Sequence, residues 1–377
     1  MSERAAAAGT GPGSRLEIGL VYETFETYAR RSGEPVDAHV EYEPLATVEA
    51  LEAAVRRLGH RPVRLGSPFD LLESIGAGCL PRVDVALNIA EAFGSRNRES
   101  FAPALLEMAG VPYLGSDGLT LSLTLDKAWA SERAAAAGLY VAPHCVLSSA
   151  AEAHAAALPA PFPLFVKPRW EGASKGIRAS SRVEDREGLA REVARIASDY
   201  AQPALVEAFL DGAEYTVTVV GHAPARALPV LQRALDLDSR IGLHALEGPG
   251  DDAPAPREHC APGALDTALE AELQRLGERA FALFDCRDFA RADFRLDAEG
   301  RACFLEINPL PTFAPDGSFG ILAELQGRSL DELLADVIGE ALERPELAAH
   351  TQGGVGSGRS GSGPSRPSRP RERREWR

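Results

Sequence analysis

The sequence predicts an α/β protein in which an N-terminal parallel βαβ domain precedes a small central domain and a C-terminal domain with an antiparallel sheet. Residues 16 to 90 alternate between apolar strand-like runs and an amphipathic helical stretch, which is the pattern of a βαβ unit. A hairpin pattern occupies residues 288 to 307. The chain has 377 residues, too many for a single small core, so we expect two or three domains.

The individual elements follow from the hydrophobic periodicity, taken in chain order. The first domain has predicted strands at 16 to 22, 62 to 65 and 83 to 90, and predicted helices at 47 to 58 and 101 to 109. Next come a helix at 126 to 138, a strand ending in PLFVKP, a helix at 184 to 198, strands at 203 to 210, 214 to 221 and 226 to 232, and a helix at 264 to 284. After the hairpin, Ser329 to Glu332 (SLDE) form a capping box that opens a last helix through about residue 343.

Composition shifts along the chain predict the domain boundaries. The predicted domains are 15 to 117, 118 to 207 and 208 to 350. The low-complexity ends, 1 to 14 and 351 to 377, are predicted to be disordered. From Gly353 the basic tail carries seven Arg and two Glu, a pattern that fits a solubilising extension or a segment that binds nucleic acid or a partner.

The charge balance argues against nucleic acid or an anionic membrane as a general partner. Lys and Arg total 40 against 55 for Asp and Glu, so the formal net charge is −15. The sequence shows no run of 18 apolar residues and no signal-peptide pattern, so we expect a cytoplasmic protein with no membrane partner. Its five cysteines are scattered without a C-x-x-C pair, so we expect reduced thiols.

The hairpin FARADFRLDAEGRACFLEINP is the most informative segment. If its turn is centred between Glu299 and Gly300, Asp293 faces Glu306 and Arg291 faces Asn308. That register puts these four on one polar face with Arg295 and Phe304, and it pairs Leu296 with Cys303, Phe294 with Leu305 and Ala292 with Ile307 on a core face. Opposed carboxylates repel unless cations lie between them, and oxygen ligands of this type suit Mg²⁺ that holds polyphosphate. A solvated face balanced by its arginines is the alternative.

Lysines and a glycine loop predict a nucleotide pocket. Lys167 ends an apolar strand, where a buried lysine needs an anion such as phosphate. The loop EGASKG, residues 171 to 176, has glycines that let main-chain N–H groups approach phosphates, although a plain tight turn has the same pattern. Glu207 and Glu214 flank a turn with Phe209, which suits an adenine slot and a ribose anchor. Two exposed glutamates are the alternative there, and a surface lysine is the alternative for Lys127.

Taken together and in order, these residues resemble the ATP-grasp superfamily and, within it, the D-alanine–D-alanine ligase family. The resemblance covers residues 16 to 345 and rests on PYLGSDGLTLSLTLDK (112 to 127), FPLFVKPRWEGASKG (162 to 176), VEAFLDGAEYTV (206 to 217) and RADF with LEINPLP (291 to 311). It implies an α+β ATP-grasp fold with ATP clasped between the central and C-terminal domains, two Mg²⁺ ions for which Mn²⁺ could substitute, and a homodimer. It also implies that ATP converts a carboxylate to an acyl phosphate, which an amine then attacks.

The resemblance assigns a role to each matching residue. Lys127 and Lys167 would bind ATP phosphates, and the loop containing Gly172, Ala173, Ser174 and Gly176 would close over them. Glu207, Phe209, Leu210 and Glu214 would hold adenosine, and Asp293, Glu306 and Asn308 would bind the metals. Arg291 would stabilise the charge of the acyl phosphate or the tetrahedral intermediate, and Ser174 and Lys167 join it as catalytic candidates.

The substrate side departs from the family pattern. Glu23 and Glu26 are stand-ins, without a clean alignment, for the glutamate that binds the first amino group, and Phe93 occupies a histidine position. The segment LDSRIGLHALEG lacks the family's Lys-Tyr pair, and His244 and Arg240 are its nearest polar candidates. We therefore hypothesise an amino-acid pocket rebuilt around Glu91, Arg96, Arg98 and Glu99, with Thr312 and Ser318 beside the second substrate. Arginines suit a carboxylate-bearing substrate, and surface charges at the start of a helix are the alternative.

Three classes of function remain to be weighed. The first is an ATP-dependent carboxylate–amine ligase that joins two D-alanines or another pair of amino acids or peptides. The second is a non-catalytic relative that only binds ATP. A nicotinamide-dependent oxidoreductase is the third, and it is rejected because the first strand leads into YETFETYARR, which lacks the glycines of a pyrophosphate turn. The sequence leaves the amino acids and their stereochemistry open.

Overall fold

The structure is a computed structural model that describes residues 15–30, 33–236, 238–242 and 265–347. The predictions for the two chain ends and for His244 and Cys260 lie outside these residues. Within them, no helix is both long enough and apolar enough to cross a membrane.

The N-terminal region folds around a parallel sheet, as the βαβ pattern predicts. Its strands are ordered β2-β1-β3-β4. The elements are β1 (Glu17–Val21), α1 (Leu45–Arg57), β2 (Arg61–Gly66), α2 (Pro68–Ala77), β3 (Val85–Asn88), α3 (Phe101–Ala109) and β4 (Tyr113–Leu114), with 3-10 turns at Phe25–Thr27 and Arg98–Ser100. Helix α2 was not predicted from the sequence, although its signal is present: Ser67 and Asp70 form a capping box and Pro68 is the first helical residue.

The central region contains a four-stranded antiparallel sheet ordered β5-β8-β6-β7. Its elements are α4 (Gly118–Leu125), α5 (Lys127–Ala136), β5 (His144–Leu147), α6 (Ala150–Ala155), β6 (Leu164–Pro168), β7 (Arg182–Val183), α7 (Arg186–Tyr200) and β8 (Ala204–Ala208), with a 3-10 turn at Ala179–Ser181. Leu189, Val193 and Ile196 of α7 pack on Val166 and Val206 of the sheet. These apolar contacts cover one face and leave the other face for polar side chains.

The C-terminal region contains the second antiparallel sheet, ordered β10-β9-β12-β13, with β11 also paired to β9. Its elements are β9 (Glu214–Gly221), β10 (Arg226–Ala227), β11 (Leu231–Arg233), α8 (Thr267–Leu283), β12 (Asp288–Leu296), β13 (Ala302–Asn308), α9 (Ser318–Leu325) and α10 (Leu330–Leu342). The predicted capping box between Ser329 and Glu332 does open the last helix. The mixed α/β class, parallel first and antiparallel later, is confirmed, while the domain boundaries stay a prediction.

The predicted hairpin register is right at the site end and wrong toward the turn. Arg291 faces Asn308 and Asp293 faces Glu306, as expected. Beyond Asp293 a β-bulge shifts the pairing, so Phe294 faces Phe304 and Arg295 faces Cys303. The physical reason is the turn: Asp297 accepts hydrogen bonds from the N–H groups of Glu299 and Arg301, which closes a loop centred on Glu299.

The bulge exchanges three side chains between the faces of the hairpin. Phe304, predicted on the polar face, packs in the core against Phe294 with ring centroids 6.0 Å apart. Leu305, predicted in the core, lines the polar side instead. Cys303 shares a face with Arg295 rather than with Leu296, although it is fully buried as expected of a reduced thiol.

Candidate functional site

A cavity of about 590 Å³ lies between the two antiparallel sheets. That volume is in the range of pockets that enclose a small-molecule ligand. Many of the predicted site residues line it, namely Lys127, Lys167, Ala173, Ser174, Glu207, Phe209, Leu210, Glu214, Arg291, Asp293, Glu306, Thr312 and Ser318. The structure therefore brings together residues that are separated by up to 191 positions in the chain, from Lys127 to Ser318.

Lys127 is aimed into the cavity by a helix start. Asp126 is the N-cap of α5 and accepts a hydrogen bond from the Trp129 N–H. Its carboxylate also accepts from Arg169 Nε at 2.7 Å, which ties the start of the helix to the end of β6. Lys127, the first helical residue, places its Nζ 2.6 Å from Glu306 Oε2. A cation fixed in this way lies beside the predicted metal ligands.

Lys167 enters the cavity from the opposite wall. Along β6, Val166 packs in the core, whereas the side chain of Lys167 places its Nζ 2.7 Å from Oε2 of Glu207 on the neighbouring strand β8. Burial alone would lower the pKa of Lys167, but Glu207 and Glu306 outweigh it and raise the pKa. The lysine is therefore charged at neutral pH and suited to a phosphate.

The floor of the cavity is a row of acids held in place by cations. Thr216 Oγ1 donates to Asp293 Oδ1 at 2.6 Å, and Arg291 Nη2 lies 3.0 Å from Asp293 Oδ2. Arg291 also lies 3.8 Å from Glu306. Burial would raise the pKa of Glu306, but Lys127, Lys167 and Arg291 outweigh it and lower the pKa to about 2. Glu306 is thus ionised at neutral pH.

The predicted metal ligands form a donor set that fits Mg²⁺ bound to phosphate. Asp293 and Glu306 are directly opposed, and Asn308 follows two residues after Glu306 in a small adjoining pocket. The Asn308 side-chain oxygen accepts from the Leu310 N–H, which fixes the amide. Among the described residues no three His, Cys, Asp or Glu side chains are grouped to hold a metal alone. Mg²⁺ commonly binds in this way, through one or two carboxylates with substrate phosphates and water.

The predicted adenosine end is built around Phe209. The guanidinium carbon of Arg182 lies 4.7 Å from the centre of its ring and that of Arg295 lies 5.2 Å away. Arg295 also pairs with Glu214 at 3.5 Å. Gly212 permits the tight turn between β8 and β9, because a Cβ there would lie 2.4 Å from the Leu296 carbonyl oxygen. The aromatic wall and the carboxylate suit a base and a ribose. Arg295 was predicted on the polar face of the hairpin, whereas Arg182 was not predicted from the sequence.

The glycine loop is held by two carboxylates that sequence reasoning also missed. The Gly172 N–H donates to Glu41 Oε1 at 2.7 Å, and the Gly176 N–H donates to Asp37 Oδ2 at 2.9 Å. Lys175 Nζ donates to Glu41 Oε2 at 2.7 Å. Ala173 and Ser174, with φ of 44° and 59°, are in the left-handed region, where residues other than glycine are strained. The loop thus has a defined backbone conformation next to the cavity, with strain at Ala173 and Ser174.

Arg98 lies at the centre of a buried ionic cluster. It contacts Glu41 at 2.6 Å and Glu171 at 3.4 Å, and it donates to the Trp170 carbonyl oxygen at 2.9 Å. Burial would raise the pKa of Glu41, but Arg98 and Lys175 outweigh it and lower the pKa to about 2. Glu41 and Glu171 already engage the guanidinium of Arg98, and its substrate role stays a prediction.

The other predicted substrate residues are divided between the site and its surroundings. Arg96 lies outside the cavity, with its guanidinium carbon 5.0 Å from the Trp129 ring centre. Glu99 borders the small pocket that contains Asn308, and burial raises its pKa to about 7 despite the opposing charge of Arg98. Burial also raises the pKa of Glu91, with Glu99 adding to the effect.

Three further candidates are engaged by neighbouring groups. Glu23 accepts a hydrogen bond from the Ala92 N–H at 2.7 Å, whereas Glu26 is exposed. Thr312 donates to Glu43 Oε2 at 3.1 Å. Arg240 Nη2 donates to the Asp211 carbonyl oxygen at 3.1 Å, which anchors the segment that follows β11.

Comparison with known proteins decides the family. The model for the C-terminal part of D-Ala-D-Ala ligases matches residues 134–339, which is more than half of the chain. The chain belongs to the D-alanine–D-alanine ligase family. The D-alanine–D-alanine ligase of Stutzerimonas stutzeri is 30% identical over 298 residues, covering 78% of this chain and 88% of the relative. An uncharacterized protein of Sinorhizobium fredii, y4sG, is 29% identical over 301 residues, covering 78% and 87%.

A solved structure supports the fold. The Bacillus anthracis D-alanine–D-alanine ligase complexed with ATP superimposes with a TM-score of 0.63 at 18% identity, covering 90% of this chain and all of the other. The ATP-grasp fold expected from the sequence is therefore confirmed. As a member of this family the protein is an ATP-dependent ligase related to D-alanine–D-alanine ligase.

Proposed function

We propose that the protein joins two amino acids, releasing ADP and phosphate, and that two D-alanines are its first candidate substrates. The observation that carries this proposal is the cavity in which Lys127, Lys167 and Arg291 surround the opposed Asp293 and Glu306. Cations and metal-binding acids in one enclosed space are what transfer of a phosphoryl group to a carboxylate requires.

In this mechanism ATP lies with adenosine against Phe209, Leu210 and Glu214 and with its phosphates toward Lys127 and Lys167. A carboxylate oxygen of the first amino acid attacks the terminal phosphorus, the bond from that phosphorus to the bridging oxygen breaks, and ADP leaves as the acyl phosphate forms. The amino group of the second amino acid attacks the acyl carbon, and phosphate leaves as the peptide bond forms. Arg291, held by Asp293, stabilises the negative charge that develops on the transferred group and on the tetrahedral intermediate.

Mg²⁺ would be held by Asp293, Glu306 and Asn308, where it would neutralise the phosphate oxygens and make phosphate a good leaving group from the acyl carbon. Two ions are expected, and Mn²⁺ could replace them. The glycine loop, with Gly172 and Ser174, covers the phosphates and excludes water. A homodimer in the cytoplasm is the expected setting, with small-molecule substrates and no specific nucleic acid or membrane partner.

The residues on the predicted substrate side favour keeping a second amino-acid pair as the alternative. Glu41, Arg98 and Glu99 are buried, Glu41 is paired with Arg98 at 2.6 Å, and Phe93 occupies the histidine position of the family pattern. A pocket with these charges fits the recognition of amino and carboxylate groups, but it fits D-alanine no better than other small amino acids.

The test is a substrate panel. The full chain is incubated with Mg-ATP and single or paired D- and L-amino acids and small peptides, and ADP release and product masses are recorded. D-alanyl-D-alanine from D-alanine alone supports the first candidate, and another product mass assigns the alternative. The matched control is Asp293→Asn, which should remove ADP release with every substrate. Tight Mg-ATP binding without ADP release from any pair would refute the ligase proposal in favour of a binding role.

A further inference from the structure

Arg233 is a cavity residue for which the sequence analysis predicts no role. It ends β11, the short strand that pairs with β9. It lines the cavity, and its side chain is only 15% exposed. A guanidinium is seldom buried without an anionic partner, because removal of its charge from water is costly.

The sheet register places Arg233 between the two halves of the nucleotide site. Arg233 faces Glu214, the proposed ribose acid, directly across the strand pair. Its Nε donates to Thr216 Oγ1 at 3.0 Å, and that hydroxyl donates in turn to Asp293 Oδ1 at 2.6 Å. Glu214 and Thr216 are two residues apart and share one face of β9. The guanidinium therefore lies between the ribose acid and the metal acid.

The protein engages only part of this guanidinium. In the part of the chain that the structure describes, Nε makes the hydrogen bond of this side chain, and the nearest paired carboxylate oxygen, Glu214 Oε1, is 4.0 Å away. The other cavity cations differ in this respect. Lys127, Lys167 and Arg291 lie 2.6, 2.7 and 3.0 Å from Glu306, Glu207 and Asp293. Among the described residues, no hydrogen bond engages the two terminal amino groups of Arg233.

We propose that Arg233 binds the phosphates that ADP and ATP share, between the ribose and the metal ions. This inference rests on the proposed ATP site. A guanidinium offers two parallel N–H donors to phosphate oxygens, which a lysine at the same place does not. Arg233 is paired across the strands with Glu214, the proposed ribose acid, whereas Lys127 is paired with Glu306, where the terminal phosphate is proposed to lie.

The experiment measures nucleotide affinity rather than turnover. Calorimetry gives the Kd of Mg-ATP, Mg-ADP and adenosine for the full chain and for Arg233→Gln. Loss of a charge-assisted hydrogen bond should weaken Mg-ATP and Mg-ADP by the same factor, roughly tenfold to a hundredfold, and leave adenosine unchanged. Arg233→Lys, which keeps a cation, should lose less affinity for Mg-ATP and Mg-ADP than Arg233→Gln. Arg226→Gln is the matched control, because Arg226 pairs with Glu340 at the surface of the neighbouring β10 and should change none of the three.

Three results would overturn this inference and leave the proposed function standing. An equal loss of affinity for adenosine would make Arg233 a structural support of the pocket, and a loss of affinity for Mg-ATP without one for Mg-ADP would place Arg233 at the terminal phosphate. An unchanged Kd for all three ligands would show that Arg233 binds none of them. Wild-type chain that fails to bind Mg-ATP at all would overturn the proposed function together with this inference. A folded state unchanged by circular dichroism keeps these readings valid for each variant.

Discussion

The contact between Glu41 and the glycine loop leads to a quantitative prediction for Glu41→Gln. This substitution keeps the shape of the side chain and removes its charge. Glu41 Oε1 accepts from Arg98 at 2.6 Å and from the Gly172 N–H at 2.7 Å, and Oε2 accepts from Lys175 at 2.7 Å. In the variant, Arg98 and Lys175 keep Glu171 as their close ionic partner among the described residues, at 3.4 and 2.6 Å.

The magnitude follows from the pKa of Glu41. Its side chain is 3% exposed, and its pKa is lowered from the ordinary value of 4.5 to about 2, since Arg98 and Lys175 outweigh burial. At about 1.36 kcal/mol for each pKa unit, this lowering corresponds to about 3 kcal/mol of folding stability at pH 7. Breaking a buried ion pair costs a similar amount in other proteins, about 3 to 5 kcal/mol.

The sign of the pH dependence is fixed by the direction of the shift. Because the carboxyl pKa is lower in the folded state, the stabilisation by the ionised Glu41 is fully present above pH 4.5. This stabilisation is lost as the pH falls toward about 2. The difference between wild type and variant should therefore shrink to about 2 kcal/mol at pH 3.5.

The assay is urea unfolding at both pH values, followed by tryptophan fluorescence. Trp170, whose carbonyl oxygen accepts from Arg98, reports on the region that the substitution loosens. Glu272→Gln is the matched control, because its pair with Arg275 is exposed and should contribute less than about 1 kcal/mol. A Glu41→Gln loss no larger than that of Glu272→Gln would refute the reasoning, since it would mean that the ionic cluster does not hold the loop.

The remaining predictions concern the site and the hairpin. Asp293→Asn should lower the rate of ADP release at least about a hundredfold while the chain stays folded, because it removes one of the two opposed carboxylates. A wild-type kcat would exclude the metal assignment. Cys303→Ser should lower stability by roughly 1 kcal/mol, as a buried hydroxyl needs a new partner, and an unchanged melting curve would contradict this. Arg96→Ala tests the rebuilt substrate pocket: because Arg96 lies outside the cavity we expect an unchanged substrate KM, and a clear rise would restore its substrate role.

Local pattern was enough to predict most elements and the centre of the site. The apolar alternation gave the strands around Lys167 and Glu214, and the hairpin arithmetic gave the opposition of Asp293 and Glu306. These features depend on neighbours in the sequence or on a single turn. The family motifs then linked the separate pieces, and the cavity contains most of them.

What sequence reasoning missed depends on contacts between distant segments. Glu41 contacts a loop 131 positions away, and no local pattern marks it as that loop's partner. The proposed role of Arg233 depends on the pairing of a three-residue strand with β9. The bulge at Leu305 follows from the hydrogen bonds of Asp297 in the turn. These bonds determine the loop length, which the alternation of apolar and polar residues does not reveal.

The bulge has a consequence for how the hairpin can evolve. On the turn side of the bulge, Phe294 and Phe304 pack in the core, and on the other side Asp293 and Glu306 line the cavity. Leu305 is the extra residue of the bulge, and it shifts the alternation of side chains by one position so that both pairs lie on the correct face. Loss or gain of one residue between the two strands would then expose the aromatic pair or turn the acids away. The connection from Asp297 to Arg301, although on the surface, is therefore less free to change length than an ordinary surface loop.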